Sequence, residues 1–157
     1  MSMVIIGVGN DLLGDDSVGL LVAEKLKNMK CEGVVVKKLI GHPMRVLEEC
    51  LGFEKAVIID SIRVSGLKEG EVLRLELPKM EVEGSIFSPH SIDIVSAYKI
   101  LKRIIPEQVP KELVVYGINV SQHVSFGNKI SDSIRKLVDE VVALIIKNEL
   151  GRCLNGG

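Results

Sequence analysis

Three segments of the chain carry side chains suited to chemistry. The first is Gly7-Val8-Gly9-Asn10-Asp11-Leu12-Leu13-Gly14-Asp15-Asp16, which ends in adjacent carboxylates. The second is Asp60, which follows the apolar run Ala56-Val57-Ile58-Ile59. The third is His90, behind Pro89. Two carboxylates and one imidazole drawn from separate segments make a divalent-metal ligand set that stays open to a further ligand. Each residue also has a plainer reading. An aspartate at a helix start caps orphan N–H groups, an effect of about 0.5–2 kcal/mol. One aspartate suffices for that, and a second adds repulsion unless it faces a cation or water. Asp60 beside Ser61 suits a turn or cap, and a lone histidine is more often structural than a ligand. The local sequence leaves both readings of each residue open.

Other chemistries find less support. The stretch from Gly7 begins like a dinucleotide fingerprint, but Leu12 stands where the third glycine belongs. Lys37 and Lys38 stand where the acidic ribose partner belongs. Two carboxylates at the helix start would also repel a pyrophosphate. There is no HExxH helix and no GxSxG elbow. Cys31, Cys50 and Cys153 are an odd number without a CxxC pair. That pattern suggests a reducing, cytoplasmic setting, no zinc knuckle and no cysteine nucleophile. His42, before Pro43, and His123, in Asn119-Val120-Ser121-Gln122-His123, read equally well as surface residues.

The elements that must position these residues alternate along the chain. Residues 4–8 are a continuous apolar run, the pattern of a strand buried on both faces. Val18, Leu21, Val22, Leu26 and Met29 form the apolar stripe of a helix of about four turns. Residues 34–36 read as a second strand, and a short helix spans 46–51. A third buried strand covers 56–59. Strict alternation over 71–77 predicts a half-exposed strand, antiparallel at an edge. Ser88-Pro89-His90 opens a helix running to about Arg103. An apolar strand follows at 113–118, and a long helix at 132–148 turns Ile134, Leu137, Val138, Val141 and Ile145 inward. Alternating strands and helices predict an α/β fold with a mostly parallel sheet covered on both sides. Ligands then collect at the carboxyl ends of the strands.

The chain has 157 residues, one domain's worth. We expect a single domain over 1–150 and a flexible tail over 151–157. Apolar residues make up 46% and charged residues 26%, which excludes a disordered chain. Twenty Lys and Arg against 21 Asp and Glu lack the basic footprint of a nucleic-acid binder, and with no Trp, two Tyr and three Phe a stacking platform is absent too. No apolar run reaches the ~20 residues that cross a bilayer, and the start lacks the basic region of a signal peptide. The absence of Thr and the scarcity of Gln fit the bias of heat-adapted proteins.

GVGNDLLGDDSVG at 7–19, IIDSI at 58–62 and SPHS at 88–91 together resemble the [NiFe]-hydrogenase maturation endopeptidases. The blocks share the family's order and approximate spacing, and the implied elements match over nearly the whole chain. The resemblance implies a three-layer α/β/α sandwich, phosphorylase/hydrolase-like, with a mostly parallel five-stranded sheet. It implies an aspartyl-type, metal-binding endopeptidase that removes a C-terminal extension from a hydrogenase large-subunit precursor after nickel insertion. The nickel is then carried by the substrate rather than held tightly by the free enzyme. The family's acidic metal contacts fall on Asp16 and Asp60, and its histidine on His90. A small-residue Gly-Gly-Thr loop common after strand two is replaced here by Leu39-Ile40-Gly41-His42-Pro43. Gly41-His42-Pro43 is therefore expected to border the cleft and to bear on which large subunit is accepted. The rival reading is a non-cleaving, nickel-dependent checkpoint or chaperone using the same ligands. We expect a cytoplasmic monomer that meets its precursor transiently.

Overall fold

The computed structural model describes residues 2–9, 17–41, 43–77, 89–120, 132–151 and 153, with residues 43 and 89–93 described by their backbone. Strand β1 (Met3–Val8) is buried at all six positions, as its unbroken apolar run requires. Helix α1 (Val18–Lys27), strand β2 (Val34–Leu39), helix α2 (Pro43–Glu48) and strand β3 (Lys55–Ile62) follow. Then come β4 (Val72–Leu77), α3 (Pro89–Ile104), β5 (Glu112–Asn119) and α4 (Asp132–Glu149). Proline at the first position of α2 and α3 suits a site whose N–H has no helical partner.

The five strands form one sheet in the order β2-β1-β3-β5-β4. β1 runs parallel to β2 and β3, and β3 parallel to β5. β4 closes the edge antiparallel to β5, as its alternating pattern predicts. β1 is an interior strand, one place from the centre. Its alternate residues feed two cores. Val4, Ile6 and Val8 pack with Val46 and Leu47 of α2 and with Ile94, Val95 and Tyr98 of α3. Met3 and Ile5 pack with Val18, Val22 and Leu26 of α1 and with Ile134, Val138, Val141 and Ile145 of α4. All five residues predicted to face inward on α4 are buried.

Two expectations are corrected. β3 continues through Asp60 to Ile62, so Asp60 lies inside the strand rather than after it. The extension exists because β5 keeps pairing with β3 as far as Ile62↔Asn119, after β1 has turned away beyond Gly7↔Ile59. The cysteines are not three separate thiols: Cys31 and Cys153 form a disulfide with their Cα atoms 5.7 Å apart. Local spacing could not show this pair, because the fold brings together residues 122 apart in sequence. The cysteine argument for a reducing setting therefore falls, and intracellular disulfides do persist in heat-adapted proteins. The bond also ties down Cys153, in the stretch read as a tail.

Glu149, the last residue of α4, anchors the helix toward the amino end of the sheet. Its fully buried carboxylate accepts bonds from Lys55 Nζ at 3.0 Å, Arg74 Nη2 at 3.1 Å and Tyr116 OH at 2.8 Å. Burial alone would raise its pKa, but the bonds from Arg74, Lys55 and Tyr116 hold it below the ordinary value. No helix among the described residues is long and apolar enough to cross a membrane.

Candidate functional site

The carboxyl ends of β1 and β3 form the topological switch point of the sheet. β1 leads through α1 outward to β2, whereas β3 leads toward β4 and β5 on the other side. A crevice opens where neighbouring strands send their connections apart, and ligands of open α/β sheets bind there. Asp60 sits at this point. It pairs with Gly117 of β5, one residue past the end of the β1 ladder. It is 4% exposed, and its Oδ1 accepts the Ser61 N–H at 2.8 Å, which fixes the orientation of the carboxyl group.

Two glycines bring α1 onto this rim. A Cβ on Gly19 would lie 2.5 Å from the carbonyl oxygens of both Val8 and Ile59, and a Cβ on Gly7 would overlap Gly19 and Ala23. Only glycine permits such an approach. The first turn of α1 therefore rests on the ends of β1 and β3, against the residue that precedes Asp60. Gly7 thus serves helix–strand packing rather than a pyrophosphate. The connection that carries Asp15 and Asp16 leaves the rim at Gly9 and returns to it at Ser17, the N-cap of α1. Asp15 and Asp16 themselves lie outside the described residues.

His90 reaches the same rim by a different route from the one its sequence position suggests. β4 runs opposite to its neighbour and ends with Leu77 beside Leu113, at the amino end of the sheet. α3 in turn ends close in sequence to the start of β5 at that same end, with Tyr98 OH bonded to the carbonyl of Pro110 at 3.0 Å. Its 16 residues span ~24 Å, so its first turn, with His90, falls at the carboxyl rim. The His90 side chain is outside the described residues, as are His42 and His123. Among the described residues, no group of three or more His, Cys, Asp and Glu side chains could hold a metal ion. Asp60 is thus the one predicted ligand whose side chain is described. The Gly9 N–H donates to the Leu39 carbonyl at 3.3 Å, so the chain enters Gly41-His42-Pro43 beside the end of β1.

The third cysteine offers no nucleophile. Cys50 is buried, its thiol donates to the Val46 carbonyl at 3.3 Å, and burial pushes its pKa up to about 12. Sequence reasoning passed over two residues at this rim, Gly19 and Asn119. Gly19 shows no signal without knowledge that a helix crosses there. Asn119 had one: it is a polar residue that directly ends an apolar strand.

Residues 22–148 match the hydrogenase maturation protease family. Among solved structures, a [NiFe] hydrogenase maturation protease, HybD from Thermococcus kodakarensis, is 25% identical with a TM-score of 0.71, over 94% of this chain and 98% of that one. The hydrogenase maturating endopeptidase HybD from E. coli shares the fold at 20% identity and a TM-score of 0.68, over 95% and 94% of the two chains. A [NiFe] hydrogenase maturation protease HycI from Thermococcus kodakarensis KOD1 does so at 22% and 0.68, over 93% and 90%. No curated protein matches the chain. These likenesses define the class, an α/β peptide-bond hydrolase with a five-stranded, mostly parallel sheet. With most of its length matched, the chain belongs to the hydrogenase maturation protease family.

Proposed function

We propose that the protein is a nickel-guided endopeptidase that removes the C-terminal extension of a [NiFe]-hydrogenase large-subunit precursor. Membership of the maturation protease family supports the reaction class. The observation that carries the finer reading is the convergence at one rim. Gly19 packs against the carbonyl of Ile59, the residue before Asp60, so α1, with its N-cap Ser17 one residue after Asp16, begins at this rim, and α3 begins with Pro89 and His90 at the same end of the sheet. Asp16, Asp60 and His90 contact the nickel that the precursor presents, so the ion belongs to the substrate and the free enzyme needs no tightly bound metal. A divalent ion there polarises the scissile carbonyl or lowers the pKa of a water. Asp60, oriented by the Ser61 amide, contacts the ion or takes the proton of the attacking water, the aspartyl-type role.

The two cores on opposite faces of the sheet support a three-layer α/β/α sandwich of the phosphorylase/hydrolase-like kind. Gly41-His42-Pro43, entered beside the end of β1, tunes which large subunit is accepted. We place the enzyme in the cytoplasm as a monomer, where the precursor matures. Incubation with a nickel-loaded precursor should remove a C-terminal fragment, read as a mass loss, while nickel-free precursor stays whole. Asp16→Asn and His90→Ala should stop the cut. Loaded precursor that binds and is never cut would establish the non-cleaving checkpoint instead.

A further inference from the structure

Asn119, the last residue of β5, is 3% exposed. Its side chain spends its hydrogen-bonding capacity on one segment, the connection 63–71 between β3 and β4. Its Oδ1 accepts the Val64 N–H at 2.9 Å, and its Nδ2 donates to the Leu67 carbonyl at 3.1 Å and the Lys68 carbonyl at 3.0 Å. An amide offers an acceptor and two donors on one planar group, which no other short side chain matches. Its backbone adds two more bonds: the Gly70 N–H donates to the Asn119 carbonyl at 2.7 Å, and the Asn119 N–H donates to the Glu71 carbonyl at 2.8 Å. Next to it, the Val120 N–H donates to the Ile62 carbonyl at 2.9 Å.

The connection so held starts three residues after Asp60, on the rim of the sheet. It turns at Gly66 and Gly70, whose φ angles of 95° and 90° suit glycine. Val64 and Leu67 pack onto the core, while Ser65, Lys68 and Glu69 face outward. A surface connection of this length is ordinarily a mobile part of a fold. Here the buried Asn119 amide and its backbone hold the connection that begins three residues after the candidate catalytic carboxylate.

We infer that Asn119 is a positioning residue: it sets the 63–71 connection as one wall of the cleft that receives the precursor polypeptide, so that substrate binding depends on it more than bond cleavage does. This inference rests on the proposed processing of the precursor. A preformed wall lets the polypeptide bind without first ordering the loop, and that ordering cost is what the variant restores. A role confined to folding would instead leave the kinetics of the folded fraction unchanged.

The test compares wild type, Asn119→Ala and Asn119→Ser, the last of which keeps a smaller donor and acceptor. Amide hydrogen exchange at Val64 and Gly70 is measured together with kcat and KM for cleavage of nickel-loaded precursor, per folded molecule. In Asn119→Ala both amides should lose protection and KM should rise by about tenfold, with kcat within about twofold. Asn119→Ser should fall between wild type and Asn119→Ala, and it serves alone if the alanine variant does not fold. A lower melting temperature with unchanged KM in the folded variants would overturn the inference, as would retained protection of the two amides. Wild type that binds the precursor without cutting it would sink the proposed function alone. The same variants would then be compared by precursor Kd, where an unchanged value overturns the inference and a tenfold loss upholds it.

Discussion

Two buried carboxylates mark opposite ends of one sheet. Glu149 lies toward the amino end, where Lys55, Arg74 and Tyr116 from three different strands converge on its oxygens. Asp60 lies at the carboxyl end, where a backbone amide one residue away orients it and connections from several elements meet. Burying a charge costs several kcal/mol unless partners repay it. At Glu149 the repayment comes from cations fixed in the fold, so the residue ties α4 to β3, β4 and β5. Asp60 lies instead at the switch point of the sheet, one residue past the end of the β1 ladder, where the proposed function gives its carboxylate a chemical role. The same side-chain group thus serves cohesion at one end and, in the proposed function, chemistry at the other.

The sharpest way to break this comparison is to remove the charge of each carboxylate in turn. Asp60→Asn should lower processing by roughly a thousandfold, within the span of general acid–base contributions, while the melting temperature hardly moves. A large stability loss with activity retained would assign Asp60 to the Glu149 class. Glu149→Ala should do the reverse. It leaves Lys55 and Arg74 without their shared anion and should cost about 3–5 kcal/mol in denaturant unfolding, with activity per folded molecule preserved. Reduction of Cys31–Cys153 acts four residues beyond Glu149 and should cost about 2–4 kcal/mol, again without changing processing by the folded enzyme. Unchanged melting with and without reductant would count against the bond.

The smallest effect is a pH dependence. The Glu149 carboxyl sits below its ordinary pKa when folded, because bonds from Arg74, Lys55 and Tyr116 outweigh its burial. Its contribution is therefore complete above the unfolded value of about 4.3 and is lost as pH falls through the lower folded value. Glu149→Gln should start less stable at neutral pH and show a flatter loss of stability below that point. Parallel curves for the two proteins would remove Glu149 from the acid response.

The sheet was legible because its signals are local. An unbroken apolar run at β1 and strict alternation at β4 each specify how many faces are buried, and the inward stripe of α4 follows from its 3.6-residue period. The site was legible only as residue types. Asp60 could be recognised, but its place within β3 depends on where β1 stops pairing, which no local pattern encodes. His90 could be named, but the reversed direction of β4 hides the path that brings it to the rim. Gly19, Asn119 and the Cys31–Cys153 pair gain their meaning from contacts across 40 to 122 residues, beyond the reach of any window.

The disulfide gives the chain the topology of a lasso. Residues 31–153 close into a covalent ring that contains β2, β3, β4, β5 and the last helix, while the first 30 residues remain a free arm. That arm carries β1, which lies between β2 and β3, two strands of the ring. In an oxidised chain, β1 thus pairs on both sides with strands of one covalent ring. The arm also carries Gly7, Gly19 and Asp16. The covalent bond thus closes the larger part of the chain on itself, and the segment that leads to the rim at the ends of β1 and β3 stays outside the noose, held by the β1 ladders and by packing rather than by a covalent link.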